Sequence, residues 1–197
     1  MKKLIVVACL ATTVSMTAGT AMADSIKGRV GVTGKIGFVI PADNETTLYN
    51  NKTDAGFIGG GGFIYGIDDH FAAELDITRS SFGSETGDFG VTNVSLGGQY
   101  RFALTQHQLV PYVGAGLDIL VSDYDPNDGQ SRNVDTTVGA HGSAGVDYFL
   151  QRNLALTAEA KLVVAPDTSI TDRSGAHRGN FDPTSFSSTA GIRFFFN

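Results

Sequence analysis

The chain has 197 residues with a formal net charge of −6, 25 glycines, one cysteine and no tryptophan. The acidic balance argues against a nucleic-acid partner, and a single cysteine excludes an intrachain disulfide framework. Beyond the first residues no apolar run reaches the roughly 18 residues of a membrane-crossing helix, and the length suits one domain.

Residues 1–23 read as an export signal. Lys2 and Lys3 open it with positive charge, 4–18 is an uncharged stretch of apolar and small residues, and Ala21-Met22-Ala23 is the small-x-small pattern a signal peptidase cuts. The stretch is too short, and too interrupted by Thr and Ser, to serve as an anchor across ~30 Å of hydrocarbon. Val6-Val7-Ala8 before Cys9 makes a poor lipidation site. The mature chain is expected to begin at Asp24, and 24–197 to form the domain. Loss of Lys2 and Lys3 takes the formal charge from −6 to −8 and removes the cysteine, so stability has to come from packing and hydrogen bonds.

From Lys27 onward the chain alternates with period two, the mark of strands with two unlike faces. In the first run Val30, Val32, Gly34, Ile36, Phe38 and Ile40 oppose Arg29, Thr33 and Lys35. The second, 55–67, aligns Phe57, Gly59, Gly61, Phe63, Tyr65 and Ile67. After Asp68-Asp69-His70 the third sets Phe71, Ala73, Leu75 and Ile77 against Glu74, Asp76 and Thr78. The fourth, 89–102, sets Val94, Leu96, Tyr100 and Phe102 against Asn93, Ser95, Gln99 and Arg101. The fifth, 109–121, sets Val113, Ala115, Leu117 and Ile119 against Tyr112 and Asp118. The sixth, 134–149, sets Val138, Ala140, Ala144, Val146 and Tyr148 against Thr137, His141, Ser143 and Asp147. The seventh, 154–164, sets Leu156, Ala158, Ala160 and Leu162 against Thr157, Glu159 and Lys161, and the eighth, 186–196, sets Ala190, Ile192, Phe194 and Phe196 against Ser187, Thr189 and Arg193. No stretch after the signal carries a helical period.

Eight such runs suit a water-soluble barrel or sandwich as well as a membrane barrel, and three features separate the cases. Connections alternate in length: 41–54, 79–88, 122–133 and 165–185 are long and polar, whereas 68–70, 103–108 and 150–153 are short. Aromatics gather at strand ends: Tyr65, Phe71, Tyr100, Phe102, Tyr148, Phe194 and Phe196 near the short turns, Phe38, Phe57, Phe89 and Phe186 near the long connections. Between them the apolar face is Val, Leu, Ala and Gly, the arrangement of two interfacial girdles around a hydrocarbon band. Lastly, the polar face carries full charges in mid-strand. An open sheet edge is untenable in lipid, so the sheet is expected to close. The expected fold is therefore all-β: an eight-stranded antiparallel up-and-down transmembrane barrel with both termini on the periplasmic side.

At eight strands the interior is narrow enough for side chains to fill it. Lys35, Glu74, Glu159 and Arg193 are the candidate site residues, a charge network inside the lumen with Arg193 placed between Lys35 and Glu159 and bonded to Glu159 or Glu74. The lumen-facing Ser95 is expected to accept an Arg better than the lipid-facing Leu96 or Leu117, provided the interior has room.

The last strand, Thr189-Ala190-Gly191-Ile192-Arg193-Phe194-Phe195-Phe196, resembles the terminal assembly signal of outer-membrane proteins. Thr189, Gly191, Phe194 and Phe196 stand at its polar, glycine and alternate aromatic positions, although Asn197 follows where the pattern ends on an aromatic. Pro111-Tyr112-Val113-Gly114-Ala115-Gly116 and Gly145-Val146-Asp147-Tyr148-Phe149 are further phrases of that kind. From Lys27 to its end the chain resembles the small OmpA/OmpW-type barrels of the outer-membrane β-barrel group. That resemblance implies a place in the bacterial outer membrane and insertion by the barrel-assembly machinery. It also implies a narrow route for small hydrophobic molecules, whereas the charge network, which would plug the lumen, and the four long connections, taken as extracellular loops, favour a structural and surface role. Expected partners are outer-membrane lipid and lipopolysaccharide, together with any extracellular ligand the loops hold.

No catalytic, cofactor or metal constellation emerges. Lipid-modifying barrel enzymes place a Ser/His pair on the lipid face, whereas His141 and Ser143 face inward. Asp123-Tyr124-Asp125-Pro126-Asn127-Asp128-Gly129 opens like a calcium loop, but Asp128 stands where the turn glycine belongs and Val134 where the bidentate Glu belongs. Gly59-Gly60-Gly61-Gly62 lacks the Lys-Ser/Thr and the helix of a phosphate loop. It reads instead as a place of sharp curvature or close packing in a strand.

Overall fold

The computed structural model describes residues 25–42, 44–46, 49–51, 54–84, 87–102, 108–126, 132–171 and 177–196. The expected export signal, His107 and the Asn127-Asp128-Gly129 end of the acidic turn lie outside the described residues.

Thirteen strands are described: β1 (Val30–Pro41), β2 (Asn44–Thr46), β3 (Tyr49–Asn51), β4 (Gly56–Gly66), β5 (Phe71–Ser84), β6 (Gly87–Arg101), β7 (Leu109–Pro126), β8 (Arg132–Val134), β9 (Thr137–Gln151), β10 (Leu154–Val164), β11 (Thr168–Thr171), β12 (His177–Phe181) and β13 (Ser185–Phe195). Eight of them make a wall in the antiparallel order β1-β4-β5-β6-β7-β9-β10-β13, and β13 pairs back onto β1. The seam runs in continuous register from Gly31↔Phe195 to Pro41↔Ser185. The cylinder so formed has no open edge, the only way a sheet satisfies its backbone groups in hydrocarbon.

The side-chain alternation sorts the chain onto two surfaces. Ile36, Leu96 and Leu117 point outward at 62%, 64% and 64% exposure, while their neighbours Lys35, Ser95 and Asp118 are buried inside. Apolar groups outside and charges inside is the reverse of a soluble barrel. At the short-turn end the rings of Phe71, Tyr100 and Phe102 follow one another at 5.2 and 5.1 Å, and Phe194 meets Phe196 at 5.2 Å. At the other end Phe38 packs edge-on against Phe57 at 6.0 Å.

Phe89 departs from the expected girdle. It is 4% exposed, faces the interior and stacks on Phe82 at 5.8 Å. It shares odd-numbered parity in β6 with Asn93, Ser95 and Gln99, and parity, not nearness to a strand end, decides which surface a residue joins.

The long connections also depart from expectation. In 79–88 the described residues, 79–84 and 87–88, are all strand: β5 and β6 stay paired to Ser84↔Gly87. In 122–133 β7 continues to Pro126 and β8 pairs beside it. In 165–185 β11 and β12 form a hairpin joined to β8, and 41–54 holds the hairpin β2-β3. Backbone groups still need partners above the apolar band, so pairing continues there. Outside hydrocarbon neither face has to be apolar, and the polar composition that reads as loop is that of solvated strand.

One short turn has a specific lock. Asp68 Oδ1 accepts the backbone N–H groups of His70 and Phe71, each at 2.7 Å. Those two bonds hold the exposed carboxyl below its usual value.

Candidate functional site

The interior is the part of the molecule in which unlike chemistries are brought together, and it is layered. Toward the short turns lies an apolar cluster of Ile26, Ile64, Ala72, Val110, Phe149, Ala155 and Phe195. Toward the long connections lies a second, of Val39, Phe82, Phe89, Val91, Leu120, Val163 and Ala165. The strand members sit at inward parity, so the buried charges are confined to the middle of the interior.

That middle is built from the inward positions of the wall strands. Arg193 of β13 is 1% exposed and donates from all three nitrogens: Nε to Thr33 Oγ1 at 2.9 Å, Nη1 to Asp147 Oδ2 at 2.9 Å and Nη2 to Glu74 Oε1 at 2.7 Å. Arg101 Nη2 meets the same Asp147 oxygen at 2.7 Å, and Gln99 Nε2 holds Glu74 Oε2 at 2.5 Å. The Tyr112 ring lies under both guanidinium groups, 5.8 Å from that of Arg101 and 5.7 Å from that of Arg193.

A second cluster lies around Lys35. Its Nζ donates to Asp76 Oδ2 at 2.5 Å and to Glu159 Oε1 at 3.2 Å. Tyr112 Oη donates to Glu159 Oε2 at 3.2 Å and so links the two clusters. A third centres on Asp118, which has no exposed surface. It accepts from Asn93 Nδ2 at 2.8 Å and Ser95 Oγ at 2.5 Å, contacts His141 Nδ1 at 2.6 Å, and pairs with Lys161 Nζ at 3.3 Å.

The four residues singled out from the sequence are all buried in this interior, but in two groups. Arg193 meets Glu74, while Lys35 meets Glu159. Arg193 does not lie between Lys35 and Glu159. Its register partners are Thr33 and Ala155, nearer the short-turn end, whereas Glu159 stands opposite Thr189. Alternation puts all four inside; only the stagger of the strands says which meet.

Asp118 and Lys161, legible as inward mid-strand charges, form a cluster of their own, whereas Asp76, Arg101, Tyr112 and Asp147 were missed as partners. The available signal was their inward parity, the same one that marked the four. Ser95 also departs from expectation. It is 4% exposed and bonded to Asp118, and Lys161 donates to it at 2.5 Å, so an Arg has no room there.

The glycine run in β4 is part of the same construction. A Cβ at Gly62 would strike the Asp76 carboxylate and the Leu75 carbonyl. The missing side chain makes room for Asp76 beside Lys35.

Two small cavities lie among these side chains. A cavity of about 10 Å³ touches Glu74, Gln99, Glu159 and His141, and one of about 30 Å³ lies between Lys35 and the loop-end apolar cluster. Voids of that size hold on the order of one or two waters. Among the described residues no cluster of three or more His, Cys, Asp or Glu side chains could hold a metal ion.

Of the assembly-signal residues, Thr189 is buried in the interior, while Phe194 and Phe196 face outward in the short-turn girdle at 37% and 50% exposure. Gly191 lies against Lys35 across the seam between β1 and β13.

A closed sheet with an apolar outside, aromatic rims and a charged inside is an integral membrane β-barrel. The family described as outer membrane protein beta-barrel domain matches residues 7–194, and the chain belongs to it. Membership of that family implies a bacterial outer-membrane location. Among solved structures the chain is similar to outer membrane protein OprG from Pseudomonas aeruginosa, at 19% identity over 89% of this chain and 99% of that one, with a TM-score of 0.71. It is also similar to Neisserial surface protein A, at 21% identity over 85% of this chain and 97% of that one, with a TM-score of 0.66. A search of curated proteins gives no match.

Proposed function

We propose that the protein is a sealed barrel with a structural and surface role, exported with cleavage after Ala23 and oriented with both termini in the periplasm. Four polar connections, strand over most of their described residues, then stand on the extracellular side and are free to meet ligands. Lipid and lipopolysaccharide surround the wall, and the assembly machinery reads the last strand.

The observation that carries this reading is the closed stack inside: Arg193 spans to Glu74 with an apolar cluster above and below. An ion crossing it would have to part charge pairs that are buried and hydrogen-bonded to each other, at a high desolvation cost. His141, bonded to Asp118 on the inward surface and away from lipid, supports a non-enzymatic reading.

The test is single-channel recording in planar bilayers. Wild-type protein is expected to insert without conductance steps. A steady unitary current from wild type would overturn the sealed reading.

The loop-end cluster favours a second reading, a route for small hydrophobic molecules, because Val39, Phe82, Phe89 and Leu120 offer an apolar lodging. That route ends on the Lys35–Asp76–Glu159 cluster and needs it to part.

A further inference from the structure

The outer wall carries a cation where its apolar band ends. Arg79 has the outward parity of Leu75 and Ile77 in β5, and its side chain is 57% exposed. On β7, Ile119 and Val121 are the outward apolar residues just before Asp123. From Phe71 in the short-turn girdle to Arg79, β5 climbs about 20 Å at the usual barrel tilt, close to the roughly 25 Å height of such bands. Arg79 therefore stands at headgroup level in the leaflet nearer the long connections.

Its guanidinium is held at the wall by two neighbouring side chains. Nη1 donates to Thr92 Oγ1 at 3.0 Å, and Nη2 lies 3.2 and 3.1 Å from the two oxygens of Asp123. The pair crosses β6 above Gly90, where an added Cβ would come within 2.5 Å of Asp123 Oδ2 and 2.8 Å of Arg79 Nη2. Gly59 is the register partner of Arg79 on β4, so that side is low as well. Asp123 engages Nη2 and Thr92 engages Nη1, and among the described residues Nε has no partner and faces the membrane. An exposed pair of this kind contributes little to stability and exchanges partners readily. A planar cation with free donors at headgroup depth is matched by a phosphate.

We infer that Arg79, levelled by Gly90 and steadied by Thr92, is a binding site for the phosphate of a phosphorylated lipid in that leaflet, with Asp123 as the side chain the phosphate displaces. The inference rests on the membrane-barrel reading and names a lipid partner and its place on the wall. It is independent of whether the lumen conducts.

The test uses the refolded chain in phosphatidylcholine nanodiscs, titrated with diphosphoryl lipid A, with bound copies counted by native mass spectrometry. Dephosphorylated lipid A and inorganic phosphate form the comparison arms, and heat-modifiable gel mobility checks folding. Phosphorylated lipid is expected to bind wild type roughly tenfold more tightly than its dephosphorylated form, the worth of about one charge-assisted hydrogen-bonded contact. Arg79→Gln should remove that preference, and Asp123→Asn, which lifts the competing carboxylate, should strengthen it a few-fold. Gly90→Leu should weaken binding while keeping the charge. If it fails to fold, Arg79→Gln and Asp123→Asn decide alone. Equal binding by Arg79→Gln and wild type, or equal binding of the two lipids, would overturn the site. Inorganic phosphate that competes as well as the lipid would show anion contact without lipid recognition and would overturn it too. Current steps from wild type would instead count against the sealed barrel and leave this result standing.

Discussion

Arg193 Nη2 and Glu74 Oε1 are 2.7 Å apart although β13 and β5 are separated around the wall by β1 and β4. Two side chains from non-neighbouring strands thus span the lumen and meet in its middle. With both ends buried, the interaction is between charges that water does not screen, and each is tolerable only because the other is present.

Neutralising one partner should therefore be worse than removing both. Arg193→Gln leaves Glu74 and Asp147 short of a cation and should destabilise the barrel by about 3–5 kcal/mol. Arg193→Met combined with Glu74→Met should recover part of that loss. Urea unfolding of the refolded protein in lipid vesicles measures both. Equal stability of Arg193→Gln and wild type would mean that the interior relaxes around the change.

The outward surface gives a sharper contrast. Leu117, at 64% exposure on the outer wall, should tolerate Ala with little effect, whereas Leu117→Arg should cost about 2–4 kcal/mol if it lies near the midplane. Ser95→Arg, on the opposite surface of the wall, should also fail, because Ser95 is enclosed by Asp118 and Lys161. The same vesicle assay distinguishes the two mechanisms. The Leu117→Arg penalty should shrink in thinner bilayers and that of Ser95→Arg should not.

Two glycines of β9 predict opposite outcomes. An added Cβ at Gly145 would meet the Tyr112 ring and lie 2.5 Å from its hydroxyl, whereas at Gly142 it would meet nothing within 4 Å. Gly145→Ala should cost about 1–3 kcal/mol through overpacking. Gly142→Ala should be neutral or slightly stabilising, since it also removes freedom from the unfolded chain. The Ala158 carbonyl would stand 2.7 Å from the same Cβ, so equal midpoints for the two variants would mean that both Tyr112 and the β10 backbone move aside without loss.

The Asp68 turn supplies a pH dependence. Its folded carboxyl titrates below the ordinary value of 3.8, held there by the His70 and Phe71 N–H groups. A depressed carboxyl binds fewer protons folded than unfolded. Its contribution is therefore complete above that ordinary value and is lost as pH falls through the lower folded one. Asp68→Asn should remove that part of the acid sensitivity, read as a flatter unfolding midpoint between neutral pH and the acid limb. An unchanged profile would assign the acid sensitivity elsewhere.

The assembly reading of the last strand predicts a failure of insertion rather than of stability. With Phe194 and Phe196 both changed to Ser, protein is expected to accumulate unfolded in the periplasm, assayed by protease sensitivity in fractionated cells. The same variant refolded into detergent should still reach a heat-modifiable form, because both rings lie on the outer rim. Normal insertion in cells would remove the signal role.

Alternation of period two was enough to place Ile36 outside and Lys35 inside, and to do so for the wall strands through Arg193, because in a strand the face of a residue is decided by its number alone. The count of runs, with the need to leave no edge in lipid, led on to a closed cylinder. Three things depended on more than parity. Where β5 ends was hidden, because pairing from Thr78 to Ser84 is a backbone matter that polar side chains do not announce. That Phe89 lines the interior was hidden by the pull of its ring toward a girdle, although its parity spoke against it. The pairing of Arg193 with Glu74 and Asp147, and of Lys35 with Asp76 and Glu159, depends on the stagger of strands around a closed wall. Stagger is set by how the whole barrel closes, since closure fixes the tilt and register of every strand together. Local sequence determined which groups enter the lumen, and only the closed tertiary structure decided which of them touch.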